Sequence, residues 1–312
     1  MKGGNCMKIS NRAYDEKCND FKKMWDFLIN DYSYRKDEFI WTLGRITDWK
    51  YNLSKEKKYV PSFQRKNAQL WLNGFDELVG FAISEDGDNM FFIFTRPGYE
   101  HLYNAILNWV MNNWNNRDRV LVTEIHEFQK GAMEILENNG FNKKGPVATT
   151  RKYSLIDKVN DEFILEPGFS VVDMVVNQDY KSKRLLQRNA FRNVNVVTEL
   201  DLITYEYDRE ESPIYNPFYD LSVIDINGVH AAGCIAFVDY ENKYAEIERV
   251  CTHSGYRRKG LAEAVIRECF KRLRSEGIEF AYITGYSEKA NGLYEKLGPV
   301  THRNWFHYEL SY

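Results

Sequence analysis

The stretch A-E-I-E-R-V-C-T-H-S-G-Y-R-R-K-G-L-A, Ala245 to Ala262, decides how the rest of the chain is read. Its first half alternates with period two, placing Ile247, Arg249 and Cys251 on one face and Glu246, Glu248 and Val250 on the other, as in a strand. Ser254 and Gly255 break that pattern. Arg257, Arg258, Lys259 and Gly260 then lead into Leu261-Ala262-Glu263-Ala264-Val265-Ile266, an amphipathic helix. A strand therefore feeds a basic, glycine-containing loop that opens a helix.

Such a junction suits an anion. The first turn of a helix leaves backbone N–H groups unpaired, and the aligned peptide dipoles favour negative charge there by about 0.3–2 kcal/mol. Arg257, Arg258 and Lys259 add positive charge. Gly260 removes the Cβ that would hold a phosphate group away from the backbone. The bland alternative is a solvated basic helix start, and the spacing R-x-x-G-x-A does not by itself separate the two.

The residues that follow do. The helix predicted over Leu261 to Ser275 ends at Gly277, a buried strand follows over Glu279 to Tyr286, and a short helix over Glu288 to Leu297 carries Y-E-K-L-G. The order strand, R-x-x-G-x-A, helix, strand, A-N-G-L-Y-E-K-L-G resembles the GNAT family of acyl-CoA-dependent N-acyltransferases, and the resemblance covers Asn216 to Tyr312. It implies an α/β (α+β) fold and acetyl-CoA, or a related acyl-CoA, as cosubstrate. The pyrophosphate would meet Arg257 to Ala262, with Leu261 in the first helical turn.

By the same resemblance Tyr294 matches the tyrosine that protonates a departing thiolate, against the plain reading of a tyrosine packed on the sheet. Glu246 and Glu248 are two apart on one strand face, and either would take the proton from an attacking amine; the alternative is ion pairing with Arg249 or Lys243. Val250, Cys251 and Thr252 would offer main-chain groups to the pantetheine arm. Ser287 stands where relatives carry an asparagine for that arm, and Asn291 is a substitute. Cys251 as an acyl-carrying nucleophile is set aside, because no His/Asp partner is identifiable and a small buried thiol is commoner.

The earlier half of the chain repeats the plan. R-P-G-Y-E-H-L-Y-N-A-I-L, Arg96 to Leu107, parallels H-S-G-Y-R-R-K-G-L-A-E-A, His253 to Ala264, and Gly140 parallels Gly298. In this pairing Glu100 faces Arg257, Tyr103 faces Gly260 and Leu136 faces Tyr294. A carboxylate repels a pyrophosphate, a tyrosine fills its space, and leucine has no proton to give. We therefore expect two tandem GNAT-like domains, each a mixed, mostly antiparallel sheet flanked by helices: a degenerate copy over 1–158 and a catalytic one over 159–312.

Around these, a helix is predicted from Asp15 to about Asp31 and another over Phe39 to Tyr51. Edge strand Met7 to Asn11 precedes them, and Lys55 to Arg65 reads as a loop. A meander is predicted over Ala68 to Phe75, Leu78 to Ser84 and Asn89 to Phe94. Ile156 to Pro167 reads as a linker, Asp179 to Asn193 as a basic helix, Glu206 to Asp220 as irregular, and Asn227-Gly228 as a hairpin turn.

With 312 residues the chain can bury two cores, and a net charge of −3 argues against nucleic-acid and membrane-surface partners. Five scattered cysteines without a C-x-x-C pair suggest neither disulfide framework nor zinc site, and the dispersed histidines suggest no metal. No apolar run approaches membrane-spanning length, so a cytoplasmic location is expected. The expected activity is transfer of an acyl group to the amine of a small molecule or peptide by direct attack. Two other classes share these features: a CoA-responsive regulator without turnover, and an aminoacyl-tRNA-dependent ligase built from paired GNAT-like domains.

Overall fold

The computed structural model describes residues 8–52, 60, 62–156 and 163–312. Strand β1 (Ser10–Ala13) is followed by helices α1 (Asp20–Arg35), α2 (Leu43–Tyr51) and the short α3 (Phe63–Asn67). Next come β2 (Ala68–Leu72), β3 (Leu78–Ile83), β4 (Phe92–Thr95), α4 (Tyr103–Asn113), β5 (Val120–His126), α5 (Lys130–Asn138) and β6 (Asn142–Ser154). The second half runs β7 (Phe169–Asp173), α6 (Tyr180–Arg192), α7 (Glu199–Glu211), β8 (Asp220–Asp225), β9 (His230–Asp239) and β10 (Tyr244–Thr252). It closes with α8 (Leu261–Ser275), β11 (Phe280–Gly285), α9 (Glu288–Lys296) and β12 (Thr301–Ser311).

Both halves thus contain four antiparallel strands, then helix, strand, helix and strand. The chain folds into two compact units, and neither is one continuous stretch. The first comprises Met1–Thr42, Lys55–Val147 and Asn304–Tyr312, the second Leu43–Ser54 and Ala148–Arg303. The expected boundary between 158 and 159 lies outside the described residues, as do Met7, 55–59 and 61.

What makes the units discontinuous is a trade of last strands. By the logic of the repeat β6 should complete the first sheet, yet its Thr149–Ser154 segment pairs antiparallel with β11. The last strand, β12, instead pairs antiparallel with β5, from Trp305 opposite His126 to Ser311 opposite Val120. Each unit still ends with an antiparallel strand beside the one preceding its last helix, so the backbone hydrogen bonds of both edges are satisfied. Separately, α2 packs on β9 and α7 of the second unit.

In the second unit the strand order is β7-β8-β9-β10-β11-β6. Helix α8 lays Leu261, Val265, Ile266, Cys269, Phe270 and Leu273 on one face of it, all essentially inaccessible to solvent, together with Ala232, Ala236, Ala245 and Ile247. Burying each of the large side chains contributes about 1.5–3 kcal/mol. The first unit has its own core, in which Ile106, Leu107 and Val110 of α4 meet Val79, Phe91 and Tyr308.

Several expectations are corrected here. The first helix begins at Asp20 rather than Asp15, because Asp15 caps a separate 3-10 turn and Asn19 adopts φ 59°. Part of the expected loop before Arg65 is helical from Phe63. Glu206 to Glu211, read as irregular, is the end of α7, which opens with a capping box between Thr198 and Asp201. Among the described residues no helix is long and apolar enough to cross a membrane.

Candidate active site

Strands β10 and β11 are the only parallel pair with more than one registered position among the described strands, and they stay together only from Tyr244–Glu246 against Phe280–Tyr282. Beyond that point β10 continues to Thr252 along β9, and β11 continues to Gly285 along β6. The sheet splays between them. A cleft of ≈ 1000 Å³ opens there, lined by Val250, Cys251 and Thr252 of β10, by Tyr256, Arg257, Arg258 and Gly260 to Glu263, and by Ala290, Leu293 and Tyr294 of α9.

The helix start at the cleft leaves its first-turn amides without a side-chain cap. Gly260 sits at φ 73°, a left-handed position that costs a residue with a Cβ about 1–2 kcal/mol, and caps α8 without any side-chain hydrogen bond. A Cβ at Gly260 would meet no protein atom within 4 Å. The space is therefore kept by the loop rather than filled by packing. Arg258 shares the left-handed conformation, and Arg257 Nη2 donates to the Ala190 carbonyl at 3.2 Å. Lys259 is turned to Glu166 at 3.4 Å and is not among the residues lining the cleft.

In the first unit the corresponding residues are engaged differently. The Glu100 carboxylate accepts the Gly98 amide at 2.9 Å within its own loop. Tyr103 is buried in the core, its hydroxyl without a hydrogen-bond partner. The cavity lined by Glu100 and Tyr103 measures ≈ 220 Å³, about a fifth of its counterpart.

A β-bulge rearranges the expected face pattern of β10. The register against β9 shifts between Glu248, opposite Ile235, and Cys251, opposite Gly233, and Arg249 within it has φ 53°. One extra residue re-aims the side chains beyond it. Arg249, expected beside Ile247 and Cys251, turns instead to Asp48 of α2 (2.7 and 2.8 Å) and Asp208 of α7 (3.3 Å). Val250 packs with the α8-side core instead.

The two candidate carboxylates differ in surroundings. Glu246 lies against α2, so closely that a Cβ on Gly44 would come within 2.9 Å of its Oε2. Glu248 begins the bulge and is pushed above the usual carboxylate range by burial and by the Asp48 charge, against the pull of Arg249 and Arg45. Neither lines the large cleft. Tyr294 does; its side chain is 6% exposed, and burial followed by the Glu248 charge drives its phenol well above the usual tyrosine value. The phenol and Glu248 are thus electrostatic neighbours across the splayed strands.

Gly285 lets α9 approach β11. A Cβ there would fall 2.2 Å from Asn291 Oδ1 and 3.2 Å from Tyr294 Cδ2. Asn291 is not a cleft residue, for Arg151 Nη1 donates to its Oδ1 at 2.8 Å. Ser287 likewise caps α9 by accepting the Ala290 amide, and it does not line the cleft. Burial pushes the Cys251 thiol up to about 12, with its sulfur directed at the Gly233 carbonyl, so it holds no thiolate near neutral pH.

A second cavity of ≈ 200 Å³ adjoins this site, lined by Arg184, Arg188, Phe191, Arg192, Tyr205, Asp208 and Arg249 among others. Phe191 lines both spaces. In the sequence Asp179 to Asn193 reads as a basic helix with no arginine singled out. The i, i+4, i+8 spacing of Arg184, Arg188 and Arg192 puts them on one side of α6.

Residues 187–298 match the acetyltransferase (GNAT) family. Among solved structures, a GCN5-related N-acetyltransferase from Sphaerobacter thermophilus aligns with 97% of this chain and 95% of its own, at 14% identity and a TM-score of 0.62. A tandem GNAT protein from the clavulanic acid biosynthesis pathway aligns over 97% and 98% at 11% identity and a TM-score of 0.67. A GNAT-family acetyltransferase from Colwellia psychrerythraea aligns over 96% and 99% at 12% identity and a TM-score of 0.57. No curated protein sequence matches the chain. At these identities the likeness establishes the fold, two tandem GNAT-like domains, and the family match places the large cleft in a domain type that performs acyl transfer.

Proposed function

We propose, from the premise that residues 187–298 belong to the GNAT acetyltransferase family, that this protein transfers an acyl group from acetyl-CoA or a related acyl-CoA to an amine by direct attack. The observation that carries the proposal is the open left-handed Gly260 at the start of α8, facing a cleft whose other wall is the unpaired edge of β10. Amides of the α8 first turn, with Arg257 and Arg258, suit a pyrophosphate. The β10 edge at Val250 to Thr252 suits an amide-bearing arm that adds like a strand. When bound there, the thioester supplies the activated acyl group.

The remaining work falls to the chain. Glu248 accepts the proton that the ammonium must lose before it attacks, and its raised pKa brings a carboxylate closer to that of a useful base at neutral pH. Tyr294 holds its proton throughout the working range and gives it to the thiolate. Glu246, crowded by Gly44, keeps α2 in place. The first unit does not take the nucleotide, since Glu100 occupies its own loop.

Isothermal titration with acetyl-CoA tests the binding half. Wild type should bind. Gly260→Tyr should bind at least about tenfold more weakly while the fold survives, because the new side chain enters space that no protein atom occupies. Equal affinity in the two proteins would remove the basis of the reading.

The pH dependence tests the base. Glu248 works only when ionised, so kcat/KM falls as pH drops through its raised pKa. The acid limb is expected above the ordinary carboxylate range, and Glu248→Gln should abolish that limb along with most activity. A limb unchanged in Glu248→Gln and lost in Glu246→Gln would transfer the role to Glu246.

A further inference from the structure

The smaller cavity beside the bulge has a charge imbalance that the chain does not correct. Arg184, Arg188, Arg192 and Arg249 all line it, and Asp208 is the one carboxylate among the lining residues. Asp201 and Asp48 pair with this group from outside the lining. Asp201 serves both Arg188 and Arg184, the latter at 3.6 Å, and Asp48 serves Arg249. Four guanidinium groups thus share three carboxylates. The third, Asp208, is also bound by Arg209 at 2.7 Å. The Nε–H groups of Arg184 and Arg188 are buried with no hydrogen-bond acceptor. An unmet buried donor is unfavourable, and a charged one more so. Burial and the charges of Arg249 and Arg192 hold Arg184 below the usual guanidinium value, against the pull of Asp201 and Tyr205. A cavity lined by four guanidinium groups and one carboxylate suits an anion.

Its position says what kind. Val250, next to Arg249 in the bulge, lines the large cleft, and Glu248 precedes Arg249. Phe191 is the shared wall. Whatever fills the small cavity therefore lies beside the large cleft. Its ≈ 200 Å³ is below the span of about 300–1,000 Å³ usual for drug-sized ligands, so the occupant is compact.

We infer that the acyl acceptor is a compact amine carrying a carboxylate or phosphate a few bonds from its nitrogen, with that oxyanion held by Arg184, Arg188, Arg192 and Arg249 while the amine faces Glu248. This rests on the acyltransferase reading above, and names the acceptor for it. Planar guanidinium groups recognise either oxyanion through paired N–H donors, so carboxylate and phosphate remain separate arms of the test.

The test uses paired amines with and without the anion, compared at equal concentrations of the neutral amine: leucine against leucinamide for the carboxylate, and glucosamine 6-phosphate against glucosamine for the phosphate. In parallel, inorganic phosphate and malonate are titrated into wild type at saturating CoA, which keeps them off the α8 loop, and thermal unfolding is followed. We expect one anionic amine to exceed its neutral partner by about tenfold or more in kcat/KM, and the corresponding anion to raise the melting temperature. Arg184→Gln should erase both effects without changing affinity for CoA. Arg192→Gln, at an exposed position, should weaken them without threatening the fold. Neutral amines used as well as anionic ones, or discrimination and thermal shift intact in both variants, would overturn the inference. If no amine is acylated, absence of any anion-induced shift at saturating CoA would also overturn it. Failure of CoA itself to bind would instead sink the acyltransferase reading.

Discussion

Tyr294→Phe is expected to lower kcat by about 10²–10⁴-fold, the usual worth of a positioned general acid, while leaving acetyl-CoA affinity nearly unchanged. The substitution removes one oxygen and keeps the ring, which belongs to the same buried cluster as Leu261, Val265, Ile283 and Leu297. The backbone of Tyr294 is held independently: its carbonyl accepts the Tyr153 hydroxyl at 2.8 Å, and Tyr153 is itself almost wholly buried. The ring therefore stays where it was, and the lost rate reports the proton. Burial and the Glu248 charge both oppose ionisation of the phenol, which favours the acid form. A pre-steady-state measurement of CoA release separates chemistry from product release. A loss smaller than threefold would mean that the thiolate leaves without help from this residue.

The parts of this fold that were legible in the sequence are those set by local rules. Helix α8 runs from Leu261 to Ser275 as its apolar spacing and bounding glycines predict, and Gly228 turns the β8–β9 hairpin at φ 80°. The basic, glycine-containing start of α8 was readable for the same reason, since a glycine and a run of basic residues leave a signature within six positions. The bulge at Arg249 was not. The apolar–polar alternation of Ala245 to Glu248 already lapses at Arg249 and Val250, but one polar residue on the apolar face does not by itself mark an inserted residue, and the register against β9 decides it. Nor was the exchange of β6 and β12, because strand pairing between distant segments depends on which edge is reached first, and both segments satisfy the same antiparallel geometry. Helix α7 is a different case. Its T-x-x-D capping signal at Thr198 and Asp201 was present in the sequence and was outweighed by the tyrosines and prolines that follow. Once α2 and α7 are placed, Asp48 and Asp208 reach Arg249 from positions 201 and 41 residues away, a distance over which no motif reading operates.

The same long-range chemistry makes Asp220→Asn the largest expected stability loss, about 3–5 kcal/mol, as for breaking one side of a buried ion pair. The Lys183 side chain is 1% exposed, and its Nζ lies 2.8 Å from Asp220 Oδ1. Arg209 Nε is 3.5 Å from Oδ2, and the Tyr215 hydroxyl donates to the same oxygen at 3.3 Å. Burial pulls the Lys183 pKa down, and Asp220 more than offsets it, so the ammonium ends above its usual value. That gain is present at neutral pH and is lost only as pH rises through the raised pKa. Asparagine keeps the shape and removes the charge, leaving two buried cations, Lys183 and Arg209, with less compensation. The urea midpoint of Asp220→Asn measures the loss directly. The double variant Asp220→Asn/Lys183→Met should be more stable than the sum of the two single changes predicts, because it removes the stranded cation as well. Strict additivity, or a single-variant loss below 1 kcal/mol, would mean that Leu221, Ser222 and Cys234, whose oxygens also accept from Lys183, carry the ammonium without Asp220.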